Sequence, residues 1–323
     1  GPSAAMVLGL LASTLLALSP ALRPAVGGGV SQLRGGMLVA SLSRRHALTA
    51  AAALALGPNV RASAENIHSV VVAGATGQTG RRVLERLAAA PGYDAVGAVR
   101  NVDKAKQALA TSSTVVRGAM LDKVSAVDTS AVRFTALDLQ KDTVDTMASK
   151  LKGAQSLVIA VGFVPGNPFK MDAAAHAVDN VGTVALVDAA KAAGVKKVVL
   201  VSSILTDGPA WGQEKSPGYQ VTNAFGHVLE EKLVAEKYLR NSGLDWTIVR
   251  PGGLKSDPPT GALYVSGENT LNSGEISRDL VADVCVAALS DPKASNKVVE
   301  IVESAPGKPG VPTAEWFNGL KMQ

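Results

Sequence analysis

Three glycines spaced three residues apart follow an apolar, β-branched run at residues 69–73. Gly74, Gly77 and Gly80 precede a helix-period pattern that continues through Leu87. Because glycine has no Cβ, the backbone can turn sharply there and a phosphate can approach the main chain. The unpaired N–H groups of the first helical turn then face an anion. The pattern predicts a strand, a turn and a helix N-terminus that bind a dinucleotide; the alternative is a glycine-rich turn without a ligand.

A basic residue ends the second predicted strand. Arg100 stands where sites that prefer NAD carry an acidic residue for the ribose hydroxyl. We expect Arg100 to favour a 2′-phosphate, with Arg81 and Lys104 close enough in sequence to assist. The alternative is a solvated strand end. The predicted cofactor is therefore NADP(H).

Small and polar residues end the next two predicted strands. Asp138 and Leu139 follow the third strand, where we expect them to meet the adenine, although Asp138 could instead cap a helix. Ala160, Val161 and Gly162 end the fourth strand. Their small side chains are suited to lining the underside of the cofactor.

The glycine spacing resembles the extended and atypical branches of the short-chain dehydrogenase/reductase superfamily. In that superfamily a Tyr and a Lys four residues later form the proton-donating centre with a nearby Ser. Ser202 ends the fifth predicted strand, and Lys232 lies on a following helix. Val228 occupies the position of the tyrosine, and valine cannot donate a proton. Ser202 and Lys232 are therefore the catalytic candidates, and alcohol–ketone chemistry is in doubt.

Other ionisable residues on the predicted helices have ordinary structural interpretations. His176 and His227 could act as acids or bases, but both lie on apolar helical stretches that favour a hydrogen-bonded core or surface role. Glu231 and Glu236 are expected to be solvated or paired with lysines along one helix. Cys285 lies in a helix-like apolar run and is expected to be a small buried side chain.

Alternating strands and helices must position these residues. The pattern predicts an α/β fold at residues 65–323: a single doubly wound parallel Rossmann sheet, order 3-2-1-4-5-6-7, with helices on both faces. Residues 111–131 are expected to be an added excursion, and residues 207–219 a polar loop. The predicted strands are 68–73, 95–100, 132–137, 156–161, 197–202, 246–249 and 298–302, and the predicted helices are 78–89, 104–110, 143–151, 172–193 and 227–241.

Composition excludes several classes of protein. Hydrophobic residues make up 47% of the chain, enough for a sizeable core, and a single cysteine excludes an internal disulfide and a cysteine-based metal site. The net charge of +5 arises from five arginines in residues 1–64, which contain no acidic residue. From Glu65 onward the charges balance, so no basic patch indicates nucleic-acid binding.

Residues 1–64 have the composition of a plastid targeting leader, which we expect to be removed or disordered. An apolar stretch too short for a membrane span is followed by an Arg-, Ser- and Gly-rich segment without acids. Arg44 and Arg45 then precede another short apolar run, and an A-x-A pattern ends at Ala64. A twin-arginine signal would direct the protein to the thylakoid lumen. The stromal side is favoured because NADPH is made and used there, and no transmembrane helix is expected in the mature domain.

Several motifs resemble one family. The runs GATGQTG, VDNVGT, VLVSSIL, TIVRPGGLK and ISRDLVA are similar to the atypical NAD(P)-binding short-chain dehydrogenase/reductases of plant and algal plastids, and the resemblance covers residues 66–303. More distant similarity extends to flavin and biliverdin reductases. The resemblance also implies that Asn180 fixes the sheet edge near the cofactor. It implies phosphate contacts at Thr76, Gly77, Gln78 and Thr79, a 2′-phosphate contact at Arg100, and nicotinamide-side contacts at Ser202, Lys232, Pro251 and Gly252.

Two functions remain open from these observations. The first is an NADPH-dependent oxidoreductase of plastids that passes hydride to a flavin, a quinone or a similar small acceptor. Such acceptors can take their proton from water, so the missing tyrosine is no obstacle. The second is a catalytically silent NADP(H)-binding subunit that senses redox state or serves as a scaffold at a thylakoid membrane protein complex.

Overall fold

The structure is a computed structural model, and it describes residues 67–117, 120–124, 126–305 and 311–322. The predicted leader lies outside these residues. The strands in chain order are β1 (His68–Ala73), β2 (Tyr93–Val99), β3 (Ser113–Arg117), β4 (Met120–Val124), β5 (Arg133–Ala136), β6 (Ser156–Ile159), β7 (Lys197–Val201), β8 (Asp245–Pro251), β9 (Gly253–Lys255), β10 (Leu263–Ser266), β11 (Glu275–Ser277) and β12 (Lys297–Glu303).

The helices flank the main sheet. A π-helical turn, His176–Gly182, joins the fourth and fifth of them, so residues 171–193 form one continuous helical segment. The helices are α1 (Gln78–Ala89), α2 (Val102–Ala110), α3 (Val144–Leu151), α4 (Met171–Ala175), α5 (Thr183–Ala193), α6 (Pro217–Asn223), α7 (Val228–Arg240) and α8 (Arg278–Ser290).

Eight strands form the main sheet in the order β10-β12-β8-β7-β6-β1-β2-β5. Seven of them are parallel and correspond to the predicted order 3-2-1-4-5-6-7, so the doubly wound fold is confirmed. Strand β10 adds an antiparallel edge beside β12, which the sequence analysis missed. The strand has only four residues and is only partly buried. It therefore lacks the long apolar run by which the central strands were predicted.

The central strands are apolar on both faces because each face is covered by helices. On β1, Val70 and Val72 belong to one apolar cluster, whereas Val71 and Ala73 belong to the other, as the two-residue period of a strand requires. The first cluster includes Leu84 of α1 and side chains of α8. The second includes side chains of α3 and α5. The sheet is therefore the middle of three layers, and its carboxyl edge is left for ligands.

Two segments between predicted elements have structure of their own. The excursion at residues 111–131 contains a hairpin of β3 and β4, paired only with each other. The expected polar loop at 207–219 contains the start of α6, whose N-terminus is capped by Ser216 accepting from the N–H of Tyr219. A Ser followed by Pro217 is a helix-start signal, and the loop prediction overlooked it.

Candidate functional site

A cleft of about 910 Å³ runs along the carboxyl edge of the sheet. Its wall includes the residues that follow β1, β6, β7 and β8, which are consecutive neighbours in the sheet. Strand β1 continues to β2 on one side and is paired with β6 on the other, so the cleft includes the point where the strand order reverses. Ligands of open α/β sheets bind at this point. The sequence-predicted residues that line the cleft are Gly77, Gln78, Thr79, Ala160, Val161, Gly162, Ser202, Lys232, Pro251 and Gly252.

The glycine-rich turn is possible only with glycines at two positions. Gly74 has a φ of +81°, and a Cβ there would lie 2.5 Å from the carbonyl oxygen of Ala160. A Cβ on Gly80 would lie 2.2 Å from the carbonyl oxygen of Gly74. The N–H of Gly77 donates to that same oxygen at 2.8 Å, which closes the turn. The close packing of turn, helix and β6 therefore explains the glycine spacing.

The N-terminus of α1 fits the phosphates of a dinucleotide. Gly77 is the N-cap residue, and no side chain caps the helix there. Gln78 and Thr79 of the first turn line the cleft, whereas Thr76 is exposed and lies outside its lining. An uncapped helix N-terminus presents backbone N–H groups to an anion. The residues present therefore fit an NAD(P)H pyrophosphate, and the side chains of this turn add no negative charge.

The basic residues near this turn differ in exposure. Arg100 follows β2, the neighbour of β1, and is exposed, as is Lys104. Arg81 is buried and donates to the carbonyl oxygen of Leu109 at 3.3 Å. Burial lowers the pKa of Arg81. Arg100 and Lys104 thus remain candidates for the 2′-phosphate, and the expectation that Arg81 assists is wrong because it packs beneath α2.

Asp138 is held in a local turn at the end of β5. Its carboxylate accepts from the N–H of Gln140 at 3.1 Å and lies 3.8 Å from Lys141 Nζ. The following helix, α3, is capped by Thr143 instead, so the alternative helix-cap role of Asp138 is wrong. Leu139 packs against the backbone of Gly182 in the π-helical turn. Both residues lie outside the lining of the cleft, and their contact with adenine stays a prediction.

Lys232 forms an ion pair inside the cleft that the sequence analysis did not foresee. Its Nζ lies 2.8 Å from Oδ1 of Asp179, whose side chain is 1% exposed. The other oxygen of Asp179 accepts from the N–H of Phe163 at 3.0 Å. The π-helical turn carries Asp179, and Gly162 leaves room beside it, since a Cβ there would be 3.6 Å from Oδ1. Asp179 therefore orients Lys232 from beneath the cleft.

Ser202 is part of a buried polar network. Its hydroxyl donates to Glu236 at 2.5 Å, and Thr206 donates to the same oxygen at 3.2 Å. Arg250 of β8 donates to Glu236 at 2.6 Å, and both side chains are fully buried. Burial alone would lower the pKa of Arg250, but Glu236 and two further carboxylates raise it. The expectation that Glu236 is solvated or paired with a lysine is therefore wrong.

No phenol replaces the missing tyrosine in the part of the cleft that the structure describes. Val228 lines the cleft and is 7% exposed. Tyr219 is near in sequence, but its hydroxyl donates to Glu230 at 3.2 Å and the residue does not line the cleft. Burial and Glu230 raise the pKa of Tyr219. The acid–base groups of the described cleft lining are thus Lys232, Asp179, Glu275 and hydroxyls.

His176 and His227 lie outside the cleft lining. Nδ1 of His176 lies 3.1 Å from Glu231, and Nδ1 of His227 lies 3.5 Å from Asp172. Both histidine side chains are more than half exposed. Asn180 donates to Glu231 at 2.6 Å, so its side chain ties the π-helical turn to α7 and does not reach a strand. These contacts agree with surface roles for the histidines.

Sequence reasoning missed a basic residue beside the phosphate-binding turn. Arg278, the first residue of α8, lines the cleft together with Gly77, and it donates to the hydroxyl of Ser256 at 2.8 Å. Helix α1 and the N-terminal part of α8 are held together by ion pairs of Arg82 and Arg86 with Asp279. Arg278 lies in the ISRDLVA motif. About two hundred residues of sequence separate it from the glycines, so their shared position in the cleft was not apparent from the sequence.

The described residues contain neither a candidate membrane span nor a candidate metal cluster. No helix there combines the length and apolar character needed to cross a bilayer. Within the same residues, no cluster of three or more His, Cys, Asp or Glu side chains is arranged to hold a metal ion. Cys285 is fully buried, and burial raises the pKa of its thiol to about 12.

Comparison with known proteins defines the class of the chain. A family profile described as NAD(P)H-binding matches residues 119–292, more than half of the chain. An uncharacterized chloroplastic protein of Arabidopsis thaliana is 45% identical over 73% of this chain and 77% of its own length. The chain therefore belongs to the NAD(P)H-binding family, which confirms the resemblance and the predicted class of cofactor. The chloroplastic relative supports the plastid location that the leader predicts.

More distant relatives include enzymes. Sanguinarine reductase of Eschscholzia californica is 29% identical over 72% of this chain and 88% of its own length. Among solved structures, the anaerobillin reductase ChuY of Escherichia coli O157:H7 aligns with a TM-score of 0.55 at 24% identity, covering 75% of this chain and 99% of that one. The likeness to ChuY shows the fold.

Proposed function

We propose that this protein is an NADPH-dependent reductase of plastids that passes hydride to a flavin, a quinone or a similar small ring acceptor. The observation that carries the proposal is the extent of the cleft. It continues from Gly77 past Lys232 to Pro217 and Phe225 on and after α6. A cleft of this size, lined mainly by apolar groups with a few polar ones, is typical of a small-molecule site.

The chain's own residues would bind and orient the two reactants. The turn at Gly74–Gly80 and the α1 N-terminus would hold the pyrophosphate, and Arg278 would add a positive charge beside it. Ala160 and Val161 provide a small-side-chain floor after β6, and Lys232 would contact the nicotinamide side. When bound, the nicotinamide supplies a hydride. The chain then has to exclude bulk water and hold an acceptor at the end of β7.

The proton that the acceptor takes up after hydride transfer does not have to come from a tyrosine in this proposal. A flavin or quinone that gains a hydride becomes an anion that can take its proton from water, while the cofactor is left oxidised. Val228 at the tyrosine position is compatible with such acceptors. Lys232 would donate a hydrogen bond to the acceptor oxygen or ring nitrogen that takes up the negative charge. Relatives that include sanguinarine reductase support reductase chemistry on this chain.

A second candidate is a silent NADP(H)-binding subunit that senses redox state or acts as a scaffold. Two observations favour it: valine at position 228, and the donation of the Ser202 hydroxyl to Glu236 rather than into the cleft.

Association with a thylakoid complex on its stromal side is the location we propose for either function. Protease treatment of intact thylakoids tests the side, because a lumenal protein would stay protected.

One assay separates the two functions. NADPH oxidation by the domain from residue 65 is measured with flavin and quinone acceptors, and Gly77→Asp serves as a binding-dead control. The control places a carboxylate at the α1 N-cap, where the phosphates would bind. Turnover well above the control supports the reductase. NADPH binding without turnover above the control refutes the reductase and leaves the silent subunit.

A further inference from the structure

The cleft lining contains few ionisable side chains, and their sign and exposure differ along the cleft. Among the described residues, the ionisable side chains in its lining are Asp179, Lys232, Glu275 and Arg278. Arg278 precedes Asp279, which pairs with Arg82 of α1, and the proposed function assigns Arg278 to the cofactor phosphates. Glu275 is exposed on β11, next to Gly253. The positive charge left for an acceptor is therefore that of Lys232.

The charge of Lys232 is already balanced. Asp179 holds it at 2.8 Å from a side chain that is almost completely buried, and the N–H of Phe163 fixes the carboxylate. Because Asp179 is almost completely buried, it attracts Lys232 more strongly than a solvated carboxylate would, and the pair has no net charge. An anionic group on the acceptor would gain little from Lys232 and would be repelled by Asp179.

The end of β7 adds no attraction for an anion. Ser202 donates its hydroxyl hydrogen to the buried carboxylate of Glu236, so that hydrogen is not directed at a ligand. The positive charge of Arg250 is surrounded by Glu236, Glu268 and Glu300 in the core. This part of the wall can accept a hydrogen bond, but it offers no cation to a phosphate or carboxylate.

The remaining wall of the acceptor region is mainly apolar and includes neutral polar side chains such as Ser216 and Thr222. Val228 and Leu229 of α7 line it together with Pro217 and Phe163. At its mouth, Val164 is 61% exposed and Phe225 is 44% exposed. Both also line the cleft, so the apolar surface is continuous from the interior to the opening. Exposed apolar side chains that continue a binding groove indicate an apolar ligand.

We propose that the acceptor is an uncharged, planar ring compound with an apolar substituent, and that the Asp179–Lys232 pair excludes anionic acceptors. This inference rests on the proposed reductase function and names the substrate class of the same site. Lys232 faces the acceptor oxygen or ring nitrogen, and Asp179 acts as a positioning and selectivity residue. The apolar substituent lies against Val164 and Phe225 at the mouth.

Three flavins with the same ring test the charge argument. Lumiflavin is uncharged and apolar, riboflavin is uncharged with hydroxyl groups, and FMN carries a phosphate. Quenching of flavin fluorescence on the NADP⁺-loaded protein measures binding without requiring turnover. We expect lumiflavin to bind about tenfold more tightly than FMN, with riboflavin between them. Equal or tighter binding of FMN overturns the inference.

The variant Asp179→Asn links the preference to the ion pair. Asparagine can still accept from the N–H of Phe163 but leaves the charge of Lys232 uncompensated. We expect the preference for lumiflavin over FMN to shrink to about twofold or less. Glu231→Gln is the matched control, because Glu231 is a carboxylate on the same helix as Lys232 that contacts His176 and Asn180 outside the cleft. An unchanged preference in Asp179→Asn overturns the assigned role of Asp179.

A quinone pair separates failure of this inference from failure of the reductase proposal. Binding and NADPH oxidation are measured with 1,2-naphthoquinone and with its 4-sulfonate. Preferential binding of the uncharged quinone without turnover supports the ligand class and refutes the reductase. Turnover with the sulfonate as good as with the parent quinone supports the reductase and refutes the exclusion of anions. Binding of neither lumiflavin nor naphthoquinone overturns the ligand class.

Discussion

The two ends of the cleft are built in different ways. The cofactor end is mostly backbone: Gly74, Gly77 and Gly80 shape a turn within seven residues of chain. The acceptor end is built from side chains on separate elements, with Asp179, Lys232 and Ser202 brought together by the fold. A backbone site needs a local sequence with little freedom, whereas a side-chain site needs distant elements to be placed correctly. The two ends should therefore fail in different ways when they are mutated.

The largest effect is expected beneath the acceptor end. Glu236→Ala removes the carboxylate that receives Arg250, Ser202 and Thr206, and it leaves a fully buried guanidinium with fewer partners. Breaking a buried ion pair by removing one partner costs about 3–5 kcal/mol. Urea unfolding of both proteins measures the loss in free energy of unfolding. A loss below about 1 kcal/mol would mean that Glu268 and Glu300 hold Arg250 without Glu236.

The cofactor end should respond to a single methyl group. Gly74→Ala puts a Cβ 2.5 Å from the carbonyl oxygen of Ala160 at a φ of +81°, so the turn must move. We expect NADPH affinity to fall about 100-fold or more, with about 2–3 kcal/mol of stability lost. Isothermal titration and urea unfolding measure the two effects.

Gly92→Ala is the matched control for that substitution. Gly92 has a nearly equal φ of +86°, but its added Cβ would have nothing within 4 Å. It should cost about 1 kcal/mol of stability and leave NADPH affinity unchanged. If both alanine variants bind NADPH equally well, the close approach of the turn to β6 does not shape the site.

This contrast also explains what could be predicted from the sequence. The glycine turn could be predicted because its residues are close together in the sequence. The strand order could be predicted because buried parallel strands and helices alternate along the chain. The Asp179–Lys232 pair was missed although VDNVGT was recognised as a motif. A π-helical turn sets the direction of Asp179, and residue types give no signal for that turn.

The same limit applied to buried charges. Glu236 reads as a surface residue on an amphipathic helix, because its partner Arg250 comes from β8 and their pairing depends on how the helix packs on the sheet. Arg81 read as a phosphate ligand from sequence proximity, yet it points beneath α2. Charged residues were thus misjudged wherever a long-range contact, rather than local pattern, decided their environment.

A third prediction concerns the adenosine side of the cofactor end. Arg100 is exposed at the end of β2, and the described residues give it no ion pair or hydrogen bond. Arg100→Ala should weaken NADPH binding by about 1.5–3 kcal/mol, because a charge-assisted contact to the 2′-phosphate is lost, and should leave NADH binding unchanged. Titration with both nucleotides gives the ratio. Lys106→Ala, an exposed cation on α2, is the control, and an unchanged ratio in Arg100→Ala would reassign the phosphate contact.

The smallest effect is expected in acid, at the C-terminal end of β12. Glu303 ends β12 and accepts from the N–H groups of Thr260, Gly261 and Ser277. Burial alone would raise the pKa of Glu303, but these backbone donors lower it from 4.5 to about 2. A carboxylate whose pKa is lower in the folded state stabilises the protein above its unfolded-state pKa. This contribution is lost as the pH falls from 4.5 toward 2.

Glu303→Gln tests that contribution directly. The variant should be less stable than the natural protein at pH 7 by about 1 kcal/mol, a modest value because Lys255 and the loop at Thr260 are partly exposed to solvent. Urea unfolding between pH 7 and pH 2.5 should show the difference shrinking below pH 4.5, where the carboxylate of the unfolded state becomes protonated while that of the folded state stays ionised. A difference that stays constant across this range would mean that glutamine destabilises the protein through its shape or hydrogen-bond geometry and not through the loss of the charge. The charge of Glu303 would then not hold the loop.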